Sequence, residues 1–318
     1  MGGEDPAQLS RRGVGGLRQT GAMGFTRRGS VRTSVLEIAY EEAGPADGPV
    51  AVLSHGFPYD VRAYDEVAQV LATSGMRVIA PYLRGYGPTR FTDAATMRSG
   101  EQAALAQDLL DLLDALSIDR AVVGGYDWGG RASCIVAALH PSRVSGLVTV
   151  GGYNIFDPAF AQEPTRPEWE RTSWYKYYFH SEAGRRGLER YRHELCELLW
   201  TTWSPEWADA ATAYAASAAS LDNPDFVDVV IHSYRHRSAL VAGDPRYAAI
   251  EEAIAAQPSI SVPTVVLESG ADGLGGPSGA EDRDRFTGPF AFRELAGIGH
   301  DLPQEAPREF AEAVLSLR

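Results

Sequence analysis

The sequence predicts an α/β domain built on a mostly parallel sheet with helices on both faces. The first indication is that short apolar runs of strand length alternate with helical stretches from Ser34 onward. Strands that are apolar along their whole length are typical of a parallel sheet covered on both sides. The second indication is that this alternation stops for roughly ninety residues in the middle of the chain and then resumes. One sheet domain with a helical insertion explains both observations better than two consecutive domains.

The individual elements are predicted from hydrophobic periodicity. Residues 34–44 alternate apolar and polar side chains, as a half-exposed strand does. Later strands are short apolar runs, predicted at 50–55, 76–81, 121–126, 144–152, 261–270 and 290–295. Helices are predicted at 64–74, 101–116, 130–139 and 307–317.

The predicted insertion covers residues 153–243 and is rich in aromatic side chains, since five of the six tryptophans lie between Trp169 and Trp207. We interpret it as a helical lid inserted after the sixth strand, so that residues 34–152 and 244–318 form the core. Residues 1–33 carry six arginines, two acidic residues and little hydrophobic pattern. We therefore expect them to be a disordered extension.

Composition and charge exclude several classes of function. The formal charge of −13 argues against a nucleic acid or an anionic membrane as partner. No stretch approaches about 18 consecutive apolar residues, so no membrane span is expected. Two cysteines, Cys134 and Cys196, are too few for a disulfide framework, which favours a reducing, cytoplasmic location. The oligomeric state stays open.

The sequence indicates neither a cofactor nor a metal. It contains no phosphate loop and no G-x-G-x-x-G pattern, so no nucleotide site is expected. His232 and His236 are spaced to share one helix face, but the sequence offers no third ligand beside them. We interpret this pair as part of an ordinary polar helix.

The most informative motif is the stretch G-Y-D-W-G at residues 125–129. It follows an apolar strand and precedes helix-forming residues, which is the context of the G-x-S-x-G nucleophile elbow, here with Asp127 in place of serine. An aspartate in a glycine turn can also be a simple helix cap. Three further landmarks favour catalysis, because H-G-F-P at 55–58, Asp272 and His300 each follow a predicted strand.

Nucleophile, acid and histidine in this chain order predict the α/β-hydrolase fold, with Asp127, Asp272 and His300 as the catalytic set. The acid has alternatives, because Asp282 and Asp284 lie close to Asp272 in the sequence. In some proteins of this fold the acid instead follows the strand after the elbow, where this chain has asparagine at position 154.

An aspartate nucleophile indicates the kind of carbon that is attacked. A serine that displaced a group at saturated carbon would leave an ether, which activated water cannot open. A carboxylate in the same place leaves an alkyl ester, which water can cleave at its carbonyl. The carboxylate is also ionised at neutral pH without a base. Asp127 therefore favours an epoxide or an alkyl halide as substrate.

These motifs resemble those of epoxide hydrolases with the α/β-hydrolase fold, over nearly the whole chain from Ser34 to Arg318. In that family two lid tyrosines hold the epoxide oxygen. The resemblance places them at Tyr175, in W-Y-K-Y-Y-F, and at Tyr234, in V-V-I-H-S-Y-R-H-R. Tyr177 and Tyr178 are the alternatives to Tyr175. One tyrosine would protonate the opened epoxide, and water activated by His300 would then cleave the ester to a vicinal diol.

The resemblance extends to the loops around the nucleophile. Residues 55–58 match the family's H-G-x-P motif, whose bond before proline is typically cis, and Trp128 matches the residue after the nucleophile. It implies that the backbone N–H groups of Phe57 and Trp128 form the oxyanion hole. It also implies a small apolar or aromatic epoxide as substrate and no cofactor. The side chains expected to line the substrate pocket are His55, Pro58, Trp174 and Tyr178.

A dehalogenase is the alternative enzyme. Haloacid dehalogenases share H-G-F-P but usually carry arginine after the nucleophile and a His-Trp pair in the lid, where this chain has Trp128 and Tyr175. Arg131 alone does not establish binding of a carboxylate. Haloalkane dehalogenases share the tryptophan but favour asparagine in place of Phe57. A non-catalytic ligand-binding protein of the same fold is disfavoured, because all three triad residues are present.

Overall fold

The computed structural model describes residues 24–157 and 163–318, which form a nine-stranded sheet flanked by helices. In chain order the strands are β1 (Arg27–Arg32), β2 (Leu36–Ala43), β3 (Val50–Ser54), β4 (Arg77–Pro81), β5 (Arg90–Phe91), β6 (Ala121–Gly125), β7 (Val144–Val150), β8 (Thr264–Ser269) and β9 (Phe290–Leu295). In space their order is β1-β2-β4-β3-β6-β7-β8-β9, and β5 pairs with β2. The pairs from β4 to β9 are parallel, and those of β2 are antiparallel. The predicted fold class is therefore confirmed.

The helices surround the sheet and form the insertion. In chain order they are α1 (Asp65–Thr73), α2 (Gln102–Ala115), α3 (Asp127–Leu139), α4 (Pro167–Thr172), α5 (Trp174–His180), α6 (Glu182–Arg190), α7 (Arg192–Trp203), α8 (Ala210–Ser217), α9 (Phe226–Arg237), α10 (Ala248–Ala255), α11 (Leu302–Glu305) and α12 (Pro307–Leu315). Within the described part of the chain, none of them has the length and apolar character needed to cross a membrane.

Both faces of the sheet are buried, which explains why the central strands are apolar along their whole length. On β3 and β6, Leu53 and Val122 belong to one apolar cluster, whereas Val52 and Val123 belong to a second cluster. Successive side chains of a strand point to opposite faces, so the two clusters are the two sides of the sheet. Helices α1 and α12 pack in the first cluster, and α2 and α3 pack in the second.

The helical insertion follows β7, and its placement as a lid after a sixth strand stays a prediction. Its aromatic side chains do not form a separate core. Trp203 of α7 and Tyr234 of α9 belong to the same apolar cluster as Phe57, which follows β3, and Tyr126, which follows β6. The insertion is therefore packed onto the carboxyl ends of the parallel strands, where ligands bind in open α/β sheets.

The expected disordered extension, residues 1–33, includes residues that form a strand. Residues 27–32 form β1, which pairs antiparallel with β2, with Val31 opposite Ile38. The sequence R-R-G-S-V-R carries little apolar pattern because β1 is an edge strand that lies largely exposed. Its ordering depends on backbone hydrogen bonds to β2, which no side-chain pattern reports. Residues 1–23 lie outside the described residues.

A buried ion pair connects the sheet to the helices around it. Arg84 follows β4 and is almost completely buried. Its guanidinium donates two hydrogen bonds of 2.7 Å to the carboxylate of Asp108 on α2, and others to the Ser99 carbonyl and the Tyr247 hydroxyl. Removing the carboxylate alone would leave a buried cation without its counter-charge.

We expect Asp108→Ala to lower the free energy of unfolding by about 3–5 kcal/mol, because Arg84 would be left buried and unpaired. Asp114→Ala is the matched control on the same helix, since Asp114 pairs with Arg143 at the surface and such pairs contribute about 0–1 kcal/mol. Urea unfolding followed by circular dichroism measures both. Equal losses in the two variants would contradict the role given to the buried pair.

Candidate active site

The sharp turn between β6 and α3 places Asp127 at the carboxyl edge of the sheet. Its backbone has a positive φ of 48°, a conformation that side-chain-bearing residues seldom adopt. The two glycines of the motif make the turn possible. A Cβ at Gly129 would overlap the carbonyl oxygens of Ser54 and His55, and a Cβ at Gly125 would overlap the backbone of Gly129. The G-x-D-x-G spacing is therefore a requirement of close backbone packing.

The loop after β3 holds one oxygen of the Asp127 carboxylate. The Phe57 N–H donates a hydrogen bond of 2.8 Å to Asp127 Oδ1, as expected for an oxyanion-hole donor. Gly56 must lack a side chain, because a Cβ there would overlap the side chain of Asp127. The other expected donor, the Trp128 N–H, lies in the first turn of α3, where an amide has no acceptor within the helix.

His55 has a structural role in this loop. Its Nδ1 lies 2.9 Å from the Gly56 carbonyl and its Nε2 accepts the Leu83 N–H at 3.1 Å, so Nδ1 carries the proton. Burial lowers the pKa of His55 to about 4, which keeps the ring neutral. Both nitrogens are thus engaged with backbone, and the ring fixes the loop instead of facing a ligand. Pro58, which follows a cis bond, is buried in the same loop.

Asp272 and His300 form the expected acid–histidine pair. His300 Nδ1 lies 2.7 Å from Asp272 Oδ2, and the other oxygen of Asp272 accepts the Leu274 N–H. The competing candidates lie elsewhere. Asp282 accepts the N–H of residue 153, and the Asn154 amide donates to the hydroxyl of residue 149.

The second nitrogen of His300 lies on the side of Asp127. Its Nε2 lies 3.8 Å from Asp127 Oδ2, beyond hydrogen-bond distance, and has no hydrogen-bond partner among the described residues. Burial alone would lower the pKa of His300, but the carboxylates of Asp272 and Asp127 outweigh it and raise the pKa to about 10. Burial would raise the pKa of Asp127, but His300 and the Phe57 N–H hold it below its ordinary value. The two groups therefore form an ion pair at neutral pH.

Tyr175 of α5 and Tyr234 of α9 lie in the insertion, close enough for the charge of Asp127 to act on both. Both are almost fully buried, with 2% and 1% of their surface exposed, and their ring centres lie 5.3 Å apart. The Trp128 indole N–H donates to the Tyr234 hydroxyl at 3.4 Å. Burial raises the pKa of both phenols above the ordinary value, and the charge of Asp127 adds to this. Both hydroxyls therefore remain protonated and able to donate.

The alternatives to Tyr175 and two of the expected pocket residues lie on other faces of α5. Tyr177 is 56% exposed and its hydroxyl donates to Glu170. Trp174 is 41% exposed and packs on the ring of Tyr178, which lies against Gly187 of α6. Trp174 and Tyr178 are thus not brought to Asp127, and their assignment to the pocket is corrected.

Sequence reasoning missed the role of Trp203, at the end of α7. Its carbonyl accepts the N–H of Gly273, next to Asp272, at 2.9 Å, and the N–H of His300 at 3.2 Å. Its ring centre lies 5.1 Å from both the His300 ring and the Tyr175 ring. Trp203 therefore holds the acid and the histidine together and links them to the insertion. Its only signal in the sequence is the abundance of tryptophan there.

One group of side chains could hold a metal ion within the part of the chain that is described. The ligand atoms of Glu101, His236 and Glu251 lie within 4.8 Å of one another. His232, the other member of the predicted pair, accepts the N–H of residue 100 and contacts the carbonyl of residue 242. Arg131 and Arg237 line the same cleft, and their charges oppose the binding of a cation. The absence of a metal remains a prediction.

Comparison with known proteins places these features in a family context. A family model of the alpha/beta hydrolase fold matches residues 49–306. Epoxide hydrolase B of Mycobacterium tuberculosis (strain ATCC 25618 / H37Rv) is 31% identical over 198 residues, covering 58% of this chain and 55% of that protein. Haloalkane dehalogenase of Mycobacterium marinum is 34% identical over 125 residues, covering 38% of this chain and 40% of that protein. The chain spans 39–55% of the length of the first curated relatives.

A solved structure is similar over nearly the whole chain. The crystal structure of a provisionally assigned epoxide hydrolase from Klebsiella pneumoniae subsp. pneumoniae MGH 78578 has a TM-score of 0.90 and 42% sequence identity. The similarity covers 92% of this chain and 98% of that one.

We expect an NMR titration to find the pKa of the His300 imidazole near 10, because the Asp272 and Asp127 carboxylates raise it. Because folding raises this pKa, the ion pairs stabilise the protein below about pH 6.5, and their contribution is lost as the pH rises through about 10. Asp127→Asn and Asp272→Asn should each lower the pKa of His300, since each removes a negative charge beside it. Asp282→Asn is the control and should leave it unchanged. An unaltered pKa in Asp127→Asn would show that the two groups are not coupled.

Proposed function

This protein belongs to the alpha/beta hydrolase fold family, and on that premise we propose that it hydrolyses a small epoxide to a vicinal diol. One observation carries the proposal, namely that Asp127 lies between the Phe57 N–H and His300 and that its charge acts on two buried tyrosine hydroxyls. Similarity to proteins named epoxide hydrolase supports the same reaction. Helices α4–α9 act as the lid, and no cofactor takes part.

In the first step Asp127 opens the epoxide. Oδ2 is the attacking oxygen, because Oδ1 is held by the Phe57 N–H and Oδ2 faces the open side toward His300. A bond forms between Oδ2 and a ring carbon while the bond from that carbon to the ring oxygen breaks. The electron pair passes to the ring oxygen, which takes a proton from Tyr175 or Tyr234. The product is an alkyl ester on Asp127.

Ester formation also changes the charge state of His300. The pKa of His300 is raised by two carboxylates, and alkylation removes the charge of Asp127. The His300 imidazolium then loses its proton more readily. This proton is transferred to the tyrosine that was ionised in the first step, and its hydroxyl is restored. His300 becomes a neutral base, still oriented by Asp272. Formation of the ester therefore converts His300 into the base that the second step requires.

In the second step water cleaves the ester. His300 Nε2 takes a proton from water, and the water oxygen attacks Asp127 Cγ. The negative charge develops on Oδ1, where the N–H groups of Phe57 and Trp128 stabilise it. The bond from Cγ to Oδ2 breaks, the diol leaves with Oδ2, and the proton on His300 passes to the departing oxygen. The remaining proton of the water passes from the Asp127 carboxyl to His300, which restores the ion pair. The new oxygen of the first diol therefore comes from the protein.

A dehalogenase is the second candidate, favoured by the similarity to a haloalkane dehalogenase. It would use the same ester on Asp127, with a halide leaving instead of an alkoxide. A departing halide needs N–H donors but no proton, so that reaction would not need the buried tyrosines as general acids. Halide release from a panel of haloalkanes and haloacids distinguishes the two reactions.

We expect His300→Gln to accumulate the alkyl ester when it is mixed with an epoxide, because Asp127 still attacks but water is no longer activated. Intact-protein mass spectrometry should show an increase equal to the mass of the epoxide. Asp127→Asn is the matched control and should show neither the mass increase nor turnover. Turnover by Asp127→Asn would refute the nucleophile.

We expect the double variant Tyr175→Phe, Tyr234→Phe to lose epoxide opening by at least about 100-fold, since general acid catalysis contributes about that much or more. Formation of the ester in single turnover is the measurement. The control is Tyr177→Phe, which removes an exposed hydroxyl and should retain full activity. If the double variant still forms the ester at the normal rate, the tyrosines are not the acid.

A further inference from the structure

A narrow cleft adjoins the candidate active site, because Trp128 forms part of its wall. Two arginines line the same cleft, Arg131 from α3 and Arg237 from the end of α9. Their guanidinium carbons lie 5.6 Å and 4.3 Å from the centre of the Phe156 ring. An aromatic surface therefore holds two cations in one cleft, next to the residue that follows the nucleophile.

The cations in this region form no ion pair within the described residues, although the charge of Asp127 acts on Arg131 and Lys176. Arg131 donates to the Asn154 carbonyl, but its Nε is buried without a hydrogen-bond partner. Neither Arg131 nor Arg237 forms an ion pair there, whereas Arg235 on the same helix pairs with an acidic residue of α6. Lys176, the single lysine of the chain, donates only to the hydroxyl of Ser173.

These three cations are close enough to repel one another. Burial and the charge of Arg237 lower the pKa of Arg131 to about 10, although the charge of Asp127 opposes them. Burial and the charges of both arginines lower the pKa of Lys176 to about 7, against the opposing charges of Asp127 and Glu170. Asp127 is shared with His300, so a further anion would be favourable beside these cations.

The carboxylates in the wall of the cleft do not supply that charge. Glu101 accepts hydrogen bonds from the Ser99 hydroxyl and the Asp244 N–H, and its other oxygen lies 3.2 Å from His236 Nε2. Glu251 accepts a backbone N–H of α2, and burial raises its pKa to about 7. Both acids are engaged with their own neighbours, so the two arginines remain free for an anion.

We propose that the substrate is an epoxide that bears a carboxylate, and that Arg131 and Arg237 bind this carboxylate in the cleft beside Trp128. The proposal rests on the proposed function for the reaction itself and adds the chemical class of the substrate. A guanidinium presents paired N–H groups that match the two oxygens of a carboxylate. The binding would fix the epoxide at a set distance from Asp127.

The test compares two epoxides of the same shape and different charge, a 3-aryl oxirane-2-carboxylate and its carboxamide. We expect wild-type kcat/KM to be at least about tenfold higher for the carboxylate, since charge-assisted hydrogen bonds contribute about 1.5–3 kcal/mol each.

Arg237→Gln and Arg131→Gln should remove this preference by raising KM for the carboxylate, with little change for the carboxamide. Arg237→Lys should retain part of it, because the charge stays and the paired donors are lost. Arg185→Gln, which alters an exposed arginine of α6, is the control and should behave like wild type.

Calorimetric titration with phenylacetate and phenylacetamide, which cannot react, separates the two proposals. If both epoxides are hydrolysed equally well and the arginine variants do not change their ratio, the carboxylate site is refuted and the reaction stands. If neither epoxide reacts but phenylacetate binds wild type and not Arg237→Gln, the carboxylate site stands and the reaction is refuted. If phenylacetate binds no better than the amide and the epoxides show no preference, the carboxylate site is refuted.

Discussion

The close packing of the turn after β6 against the loop after β3 is the constraint on which the rest of the site depends. Only glycine at position 129 allows the turn to approach the Ser54 and His55 carbonyls, and only glycine at 56 leaves room for Asp127. The contact brings the Asp127 carboxylate to the Phe57 N–H. Because β3 and β6 are neighbours in the sheet, two segments that are seventy residues apart in the chain come into direct contact.

The insertion contacts the residues of the candidate site directly, in addition to packing over them. The Trp203 carbonyl accepts the backbone N–H groups of Gly273 and His300, and its ring packs against Tyr175. A movement of α7 would therefore displace the acid–histidine pair and a tyrosine together. Trp203 thus connects the position of α7 to the geometry of the His300–Asp272 pair.

Much of the fold and the triad could be predicted, because turn chemistry and strand periodicity are local properties of the sequence. The glycines around Asp127 and the strands before Asp272 and His300 are examples. Three features could not be predicted, for physical reasons. Edge strand β1 is held by backbone bonds, the contribution of Trp203 is a carbonyl that every residue possesses, and α5 is aromatic on several faces. Periodicity therefore could not show that Tyr175 turns inward while Trp174 turns out.

The two histidines beside Asp127 show how strongly the surroundings determine chemistry. His55 is buried among backbone groups, and its pKa falls to about 4, whereas His300 meets two carboxylates, and its pKa rises to about 10. Burial outweighs the charge of Asp127 at His55, so this ring stays neutral and holds the loop through its backbone contacts. At His300 the charges of Asp272 and Asp127 outweigh burial, so its protonation depends on the charge of Asp127. The balance between burial and neighbouring carboxylates therefore separates the two histidines.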